Sequence, residues 1–366
     1  MNKKNSEPLF HISRRQEHNA KTSWIIRISA IIIALVFCGI LTSAITKLNP
    51  ISVYATYVQG AFGSARKTWV TFQSMSILLI ISLALTPAFM MRFWNIGGEG
   101  QVLVGGLGAA SCMILLEGKV PNGVVVLCMI VCSILAGAIW ALIPAVCKAL
   151  WNTNETLATL MMNYIATQLV AYFTVLWEVP KGSGKIGVIN QDSMAGWLPD
   201  LGNKYALAIV ISLIATVALY IYLKYTKQGY EISVVGESNN TARYVGISVR
   251  KVIIRTMMIS GGLCGLAGLL LVGAINHTIT TTIADGQGFT GVMVSWLAKF
   301  NPFGMIATSF LIIFMDRGAG EIATAYGLNQ SFADILTGII LFFIIGSEFF
   351  IRYKINFRES HAKEEK

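Results

Sequence analysis

The sequence predicts an all-α polytopic membrane protein with about ten transmembrane helices, and three observations carry that prediction. The 366 residues are 55% hydrophobic and only 13% charged, with a mean hydropathy of +0.64. Apolar runs recur at the length of about 20 residues that a bilayer-spanning helix needs, and two of them, 68–91 and 120–147, contain no charged residue. The polar segments between runs reach only about thirty residues, far below the ~100 of a typical soluble domain.

Taken in order, residues 1–23 form a basic, polar tail. The run 24–45 is too long for a signal-peptide core and lacks a small-residue cleavage site, so it reads as the first span. Spans follow at 68–91, 96–116 (which contains Glu99), 120–147, 157–177, 205–223 and 256–275. The region 288–315 is interrupted by Lys299 and Asn301-Pro302 and reads as two short helices, and 335–351 closes the set with Glu348 near its end. The transmembrane domain thus covers 24–351, and 352–366 form a second tail. Basic residues favour the cytoplasmic side. Counted over ten crossings, all but eight of the 28 Lys and Arg fall on the side of the N-terminus, the exceptions being Lys47, Arg66, Lys67, Lys119, Lys181, Lys185, Lys204 and Arg317. Both termini and the loop 224–255 are therefore expected in the cytoplasm.

Several functions are excluded. The net charge of +10 comes from residues flanking apolar spans, not from one basic patch with interleaved aromatics, so no nucleic-acid partner is expected. Cys38, Cys112, Cys128, Cys132, Cys147 and Cys264 all lie in apolar segments; Cys128 and Cys132 share a helix face but lack further ligands, so packing is expected and no metal site. No cluster of His, Asp or Cys suggests catalytic residues. Gly182, Gly184 and Gly187 spell G-x-G-x-x-G without the strand and helix that give that pattern meaning, and Ile186 after Lys185 rules out a phosphate-binding loop. Gly261, Gly265 and Gly268 read as close-packing positions, and His277 as a surface residue of an outer loop, placed to meet a binding protein.

Two strings remain. Within the loop 224–255, residues 238–247 can form a short amphipathic helix with Ala242 and Val245 on one face and Ile247 as a third candidate, while Asn240, Arg243 and Tyr244 take others. Such a helix suits docking, with Gly229, Gly236 and Gly246 at its turns. The string WNIGGEGQ at 94–101 breaks a helix inside the apolar region, which is tolerated only where protein or a water-filled path satisfies the backbone. Two readings of Glu99 stand: Asn95 caps the next helix and Glu99 sits in its first turn against the dipole, or Glu99 lines a path.

WNIGGEGQ resembles the FNIGAEGQ signature of ABC importer permeases of the ribose and branched-chain amino acid class, particularly the nucleoside branch served by basic-membrane-protein-type lipoproteins. The likeness continues in the same order through NETLATLMMNYI at 154–165, GYEISVVGESNNTARYVGI at 229–247 and GFTGVMVSWLAKFNP at 288–302. It implies a permease subunit and no enzyme: 236–246 is the coupling helix that enters a cleft of the ATPase, with Gly236, Glu237, Asn239, Ala242, Arg243, Tyr244 and Gly246 as the coupling residues. ATP and Mg belong to that partner, a dimer or a fused double ATPase, and this chain binds no cofactor. A second homologous permease and an extracellular lipid-anchored binding protein complete the set of partners, in the cytoplasmic (inner) membrane of a bacterium. Departures occur at Thr290, where the family usually has Asp, and at Trp296, Lys299 and Gly98, and they bear on substrate more than mechanism.

A nucleoside needs an aromatic face for its base and amides for its edge. Phe93, Trp94, Phe289 and Trp296 could stack, and Gln101, Asn163 and Gln168 could hydrogen-bond. The expected path residues are therefore Trp94, Asn95, Glu99, Gln101, Asn163, Phe289 and Trp296. A sugar such as ribose, or an amino acid, is the alternative small-molecule substrate. A rival ion-coupled transporter needs paired membrane carboxylates, for which only Glu99, Glu155 and Glu348 qualify.

Overall fold

Helices end where caps and breakers dictate in the computed structural model, which describes residues 10–14, 20–47 and 49–357. The elements are β1 (Phe10–Arg14), α1 (Ala20–Thr46), α2 (Pro50–Phe62), α3 (Ala65–Met90), α4 (Gly98–Leu116), α5 (Asn122–Trp151), α6 (Glu155–Leu176), α7 (Ala206–Tyr225), α8 (Lys227–Glu237), α9 (Asn239–Tyr244), α10 (Val249–Leu270, continued by a π-helical turn Leu271–Asn276), α11 (Gln287–Leu297), α12 (Pro302–Ala325), α13 (Gln330–Arg352) and β2 (Tyr353–Phe357). Among the described residues nine helices are long and apolar enough to cross a membrane. The fold is all-α apart from β1 and β2, which pair antiparallel with Phe10 opposite Phe357 and Arg14 opposite Tyr353. The sequence had suggested only tails there.

The chain forms two compact units, 68–313 and the remainder. In the terminal unit α1 and α13 run antiparallel: Arg27 meets Glu348 at 3.3 Å, Cys38 Sγ donates to the Leu336 carbonyl at 3.8 Å, and Glu348 also accepts from Arg352 Nε at 3.1 Å. The β1–β2 ribbon joins the flanks of that pair at one end, so the chain enters and leaves this unit on the same side. The short helix α2 starts with Pro50 after the capping Asn49, and its Tyr57 hydroxyl donates to the Met315 carbonyl at 2.6 Å.

The larger unit is organised around glycine contacts. Gly137 abuts Gly261, Gly105 abuts Gly265, and Gly268 lies against the Val102 carbonyl, so α4, α5 and α10 approach nearly backbone to backbone. A bilayer supplies no hydrophobic force between helices, and close van der Waals approach takes its place. Ser133 Oγ sits between the Gly105 and Gly265 carbonyls at 2.5 and 2.9 Å. Helix α3, apolar all round, is buried along most of its length, as such a pattern requires. Its Ser82 and Thr86 hydroxyls donate back to the Leu78 and Ser82 carbonyls.

Among the described residues the directions of the nine long helices imply a tenth crossing. The chain reverses after α3, so α4 opposes α3, and the contacts Asn95–Ser260 before the start of α4 and Gly106–Val272 further along it make α10 parallel to α4. Thr86 meets Met305 and Phe72 meets Phe310, so α12 also opposes α3. Since α10 and α12 run the same way, the stretch 277–297 must cross back between them. The expected pair of short helices over 288–315 is corrected accordingly. α11 has 11 residues, about 16 Å at 1.5 Å per residue, and α12 continues to Ala325. Between them Lys299 and Phe300 take left-handed conformations, and Asn301 Oδ1 accepts the Phe303 amide at 3.1 Å to start α12.

Candidate functional site

The break begins at the end of α3, where the Phe93 amide returns to the Ala88 carbonyl and Arg92 has φ 58°. Residues 93–97 then run without helical structure inside the unit, where side chains of α6 and that of Asn95 bond their backbone and Ser260 of α10 holds Asn95. Thr159 Oγ1 accepts the Ile96 amide at 3.2 Å, and the Asn163 carboxamide accepts the Gly100 amide and donates to the Ile96 carbonyl, both at 2.9 Å. Asn95 is fully buried; its oxygen accepts from the Gly97 amide and Gln101 Nε2, and its nitrogen donates to Ser260 Oγ at 3.2 Å. A Cβ at Gly100 would lie 2.9 Å from Asn163 Oδ1, so the glycine is required for this approach. Asn95 does not act as the N-cap expected of it: Gly97 holds that position.

Glu99 lies in the first turn of α4 but reaches elsewhere. Its two carboxylate oxygens accept the amides of Gly286 at 3.0 Å and Gly288 at 2.8 Å, at the start of α11. The second irregular stretch, 277–286, therefore ends where the first one does. α11 then lies along α3, with Ser295 Oγ donating to the Ser82 carbonyl at 2.8 Å. Glu99 thus has the first-turn position that one reading gave it, but its carboxylate serves the start of α11 on another segment, which neither reading foresaw. A carboxylate against exposed backbone amides and the positive end of a helix is a strong, charge-assisted arrangement.

Beside this junction Trp94 and Trp296 stack, with ring centroids 5.5 Å apart and planes at 22°. Phe89 packs on both rings in T-shaped arrangements, with planes at 86° and 65°, and Phe300 meets Trp296 at 5.1 Å. Trp94 is 46% exposed and Trp296 41%, and Phe289 on α11 is exposed as well. The seven expected path residues thus divide. Asn95, Gln101 and Asn163 are buried within the break, Glu99 joins the two segments, and Trp94, Phe289 and Trp296 face outward. Of the other stacking and hydrogen-bonding residues weighed from sequence, Phe93 is buried and Gln168 exposed on α6. Thr159 was missed, although it precedes Asn163 by four residues and so shares its helix face; Ser260, Gly286 and Gly288 carry no comparable signal.

The polar loop contains two helices: α9 lies within the short helix expected over 238–247, whereas the coupling helix implied over 236–246 is divided at Ser238, its first two residues ending α8. Ser238 is extended, with φ −160°, and caps α9 by accepting the Thr241 amide at 3.3 Å. Gly236 ends α8 against the Met90 carbonyl, where a Cβ would collide, and Gly246, at φ 82°, turns the chain after α9. Ala242 is buried with Ile232, Val235, Met91 and Phe93, with Ile247 at the cluster's edge. Val245 is 56% exposed, which corrects its expected place beside Ala242: α9 has ended before it. Glu237, Asn239, Arg243 and Gly246 are exposed, and Tyr244 is 93% so. Arg255 pairs with Glu231 at 3.0 Å and ties α10 to α8. The loop is therefore braced against the residues that lead into the break.

His277 is not the surface residue expected from sequence. It is half-buried and stacks on Trp197, with ring centroids 3.7 Å apart and planes at 7°. Around Gly182 and Gly184 the chain is a loop whose two amides bind Glu178, holding that carboxylate below its usual range. All six cysteines are free, and Cys132 is exposed where packing was expected. Among the described residues no group of three His, Cys, Asp or Glu side chains comes together.

A multi-pass helical bundle with two discontinuous segments in contact, and a braced polar loop at the foot of one, is the architecture of a membrane permease. The chain matches the family described as "Branched-chain amino acid transport system / permease component" over residues 70–345, and it belongs to that family. It is 29% identical over 326 residues to the guanosine ABC transporter permease protein NupP of Bacillus subtilis (strain 168), covering 87% of this chain and 92% of that one. Similarity to the nucleoside ABC transporter permease protein NupB of Lactococcus lactis subsp. cremoris (strain MG1363) is 28% over 327 residues, 86% and 89% of the two chains. The glucose ABC transporter permease protein TsgB13 of Haloferax volcanii is 25% identical over 338 residues, 89% and 88%. The protein is thus a multi-pass ABC transporter permease subunit, and ATP hydrolysis belongs to a partner ATPase. A subunit of this kind works with that ATPase and a substrate-binding protein.

Proposed function

We propose that this chain imports nucleosides, forming the path with a second homologous permease. The observation that carries the reading is the exposed Trp94–Trp296 stack beside the junction of both discontinuities, in a chain similar over most of its length to permeases named for guanosine and nucleosides. Aromatic faces suit a base, which every nucleoside carries and neither ribose nor leucine does. An ATPase dimer or fused double ATPase drives the cycle and a lipid-anchored binding protein delivers substrate from outside. Both termini and the α8–α9 loop lie in the cytoplasm, in keeping with the Lys and Arg bias and the ribbon that joins the chain's two flanks. Closure of the ATPases pushes on Arg243 and Tyr244, and the packing of Ala242 against Met91 and Phe93 passes the displacement to Trp94. Glu99 carries it to α11.

The ion-coupled rival loses its candidates. Glu155 pairs with Lys148 at 2.9 Å, Glu348 with Arg27 and Arg352, and Glu99 with two amides, so the three acids are already engaged. The glucose relative favours a sugar as second reading. ATP-dependent uptake of labelled uridine and adenosine into vesicles carrying this chain with its co-purifying subunits decides between them. Nucleosides are expected to compete and ribose, glucose and leucine not to; block by a sugar alone would move the substrate, and uptake without ATP along an ion gradient would end the reading.

The docking role has its own test. Arg243→Glu is expected to leave the protein inserted and to weaken ATPase association at least thirtyfold, about the 2 kcal/mol of an interface hot spot. Co-purification of the ATPase at the wild-type level would count against it.

A further inference from the structure

We propose that Trp94 and Trp296 form an aromatic gate that a planar base opens by exchanging their mutual stack for stacking on itself; this rests on the nucleoside reading. Each ring belongs to a different discontinuous segment, Trp94 to the stretch between α3 and α4 and Trp296 to the last turn of α11. The segments are joined by the Glu99 carboxylate with its two amides, by the close approach of Gly98 and Gly288, and by this stack. Backbone groups at the break are satisfied by Asn95, Thr159, Asn163 and Glu99, not by the indoles. The stack is therefore free to part without leaving those polar groups unpaired. Phe89 packs against both rings with its plane steeply inclined to each, which keeps them aligned while both indoles stay partly exposed.

Selectivity follows from the exchange. Parting two stacked indoles forfeits their contact, and a solute with an aromatic face replaces it at once, whereas ribose or leucine restores only part of the buried area. The gate thus adds a second reading of the solute to whatever the binding protein performs.

The test uses the complete importer in proteoliposomes, with Trp94→Ala, Trp296→Ala, the double variant and the two Phe variants, and measures labelled uridine imported and ATP hydrolysed. Each Ala variant is expected to import uridine about tenfold more slowly, which corresponds to about 1.4 kcal/mol, and to hydrolyse more ATP per uridine. Phe variants should stay within about threefold of wild type, because a smaller aromatic face still stacks. A double Ala variant with wild-type uptake and wild-type ATP per uridine would overturn the gate alone. So would Ala and Phe variants impaired alike, which would mark the rings as packing. A wild-type importer that carries ribose or leucine but no nucleoside would overturn the nucleoside reading and the gate with it.

Discussion

Glu99→Ala should abolish uptake and lower the thermal unfolding temperature of the purified permease more than any other single change at the junction. The carboxylate accepts two backbone amides that begin a helix on a different segment. Hydrogen bonds to a charged group contribute about 1.5–3 kcal/mol each, and truncation leaves their partners short of an acceptor. A loss on the order of 3 kcal/mol or more is expected, large against the 5–15 kcal/mol that holds a typical domain folded. Glu99→Gln separates charge from shape. Its one remaining carbonyl oxygen can serve either Gly286 or Gly288, while its NH2 group faces the other amide donor to donor. The glutamine variant should therefore fall between wild type and alanine in both measurements. Wild-type uptake and unfolding in Glu99→Ala would show that the two segments are joined by something other than this carboxylate.

That contact also marks the limit of what the sequence makes legible. The long spans can be read because a bilayer demands about 20 apolar residues and leaves few ways to supply them. The break at 94–101 is equally plain, since three glycines and an asparagine cannot continue a membrane helix without help. What the break binds is not plain, because Glu99 pairs with backbone amides 187 and 189 residues away, and an amide leaves no mark in the side-chain pattern. Asn95, Gln101 and Asn163 look alike whether they line a path or support a backbone, and only burial separates them from Trp94 and Trp296.

Other misses were avoidable. Asn49-Pro50 and Asn301-Pro302 share one signal, an asparagine cap followed by a proline whose missing amide suits the first helical turn. Both open helices, α2 and α12. Reading the second pair only as an interruption shortened α12, and passing over the first hid α2. Ser238 is a similar case, a serine at a position where its side chain starts a new helix and so divides the docking loop in two. The stacking of His277 on Trp197 could not have been foreseen from either residue alone.

Gly265→Leu is expected to be the most damaging substitution in the helix core. A Cβ at this position would press on the Ser133 carbonyl, lying 3.0 Å from its carbon and 3.2 Å from Ile134 Cα, and these are backbone atoms with no rotamer to escape into. On the other side Gly105 of α4 packs against the same residue, where its own Cβ would meet Gly265 Cα. Relief requires α10 to move away from α5 and α4 together, which breaks the Ser133 bridge between the Gly105 and Gly265 carbonyls. Inserting methylenes into a packed core typically costs 1–3 kcal/mol. Here helix association itself depends on the close approach, so a loss on the order of 3 kcal/mol or more is expected, with sharply reduced yield of folded protein. Gly262→Ala provides the contrast one turn earlier, since its Cβ would meet the flexible Ile134 Cγ2 at 3.3 Å, a contact that a side chain can relax. Thermal unfolding of both variants in detergent decides the matter. If Gly265→Leu unfolds no earlier than Gly262→Ala, the three helices do not owe their spacing to this glycine, and the junction above them would need another support.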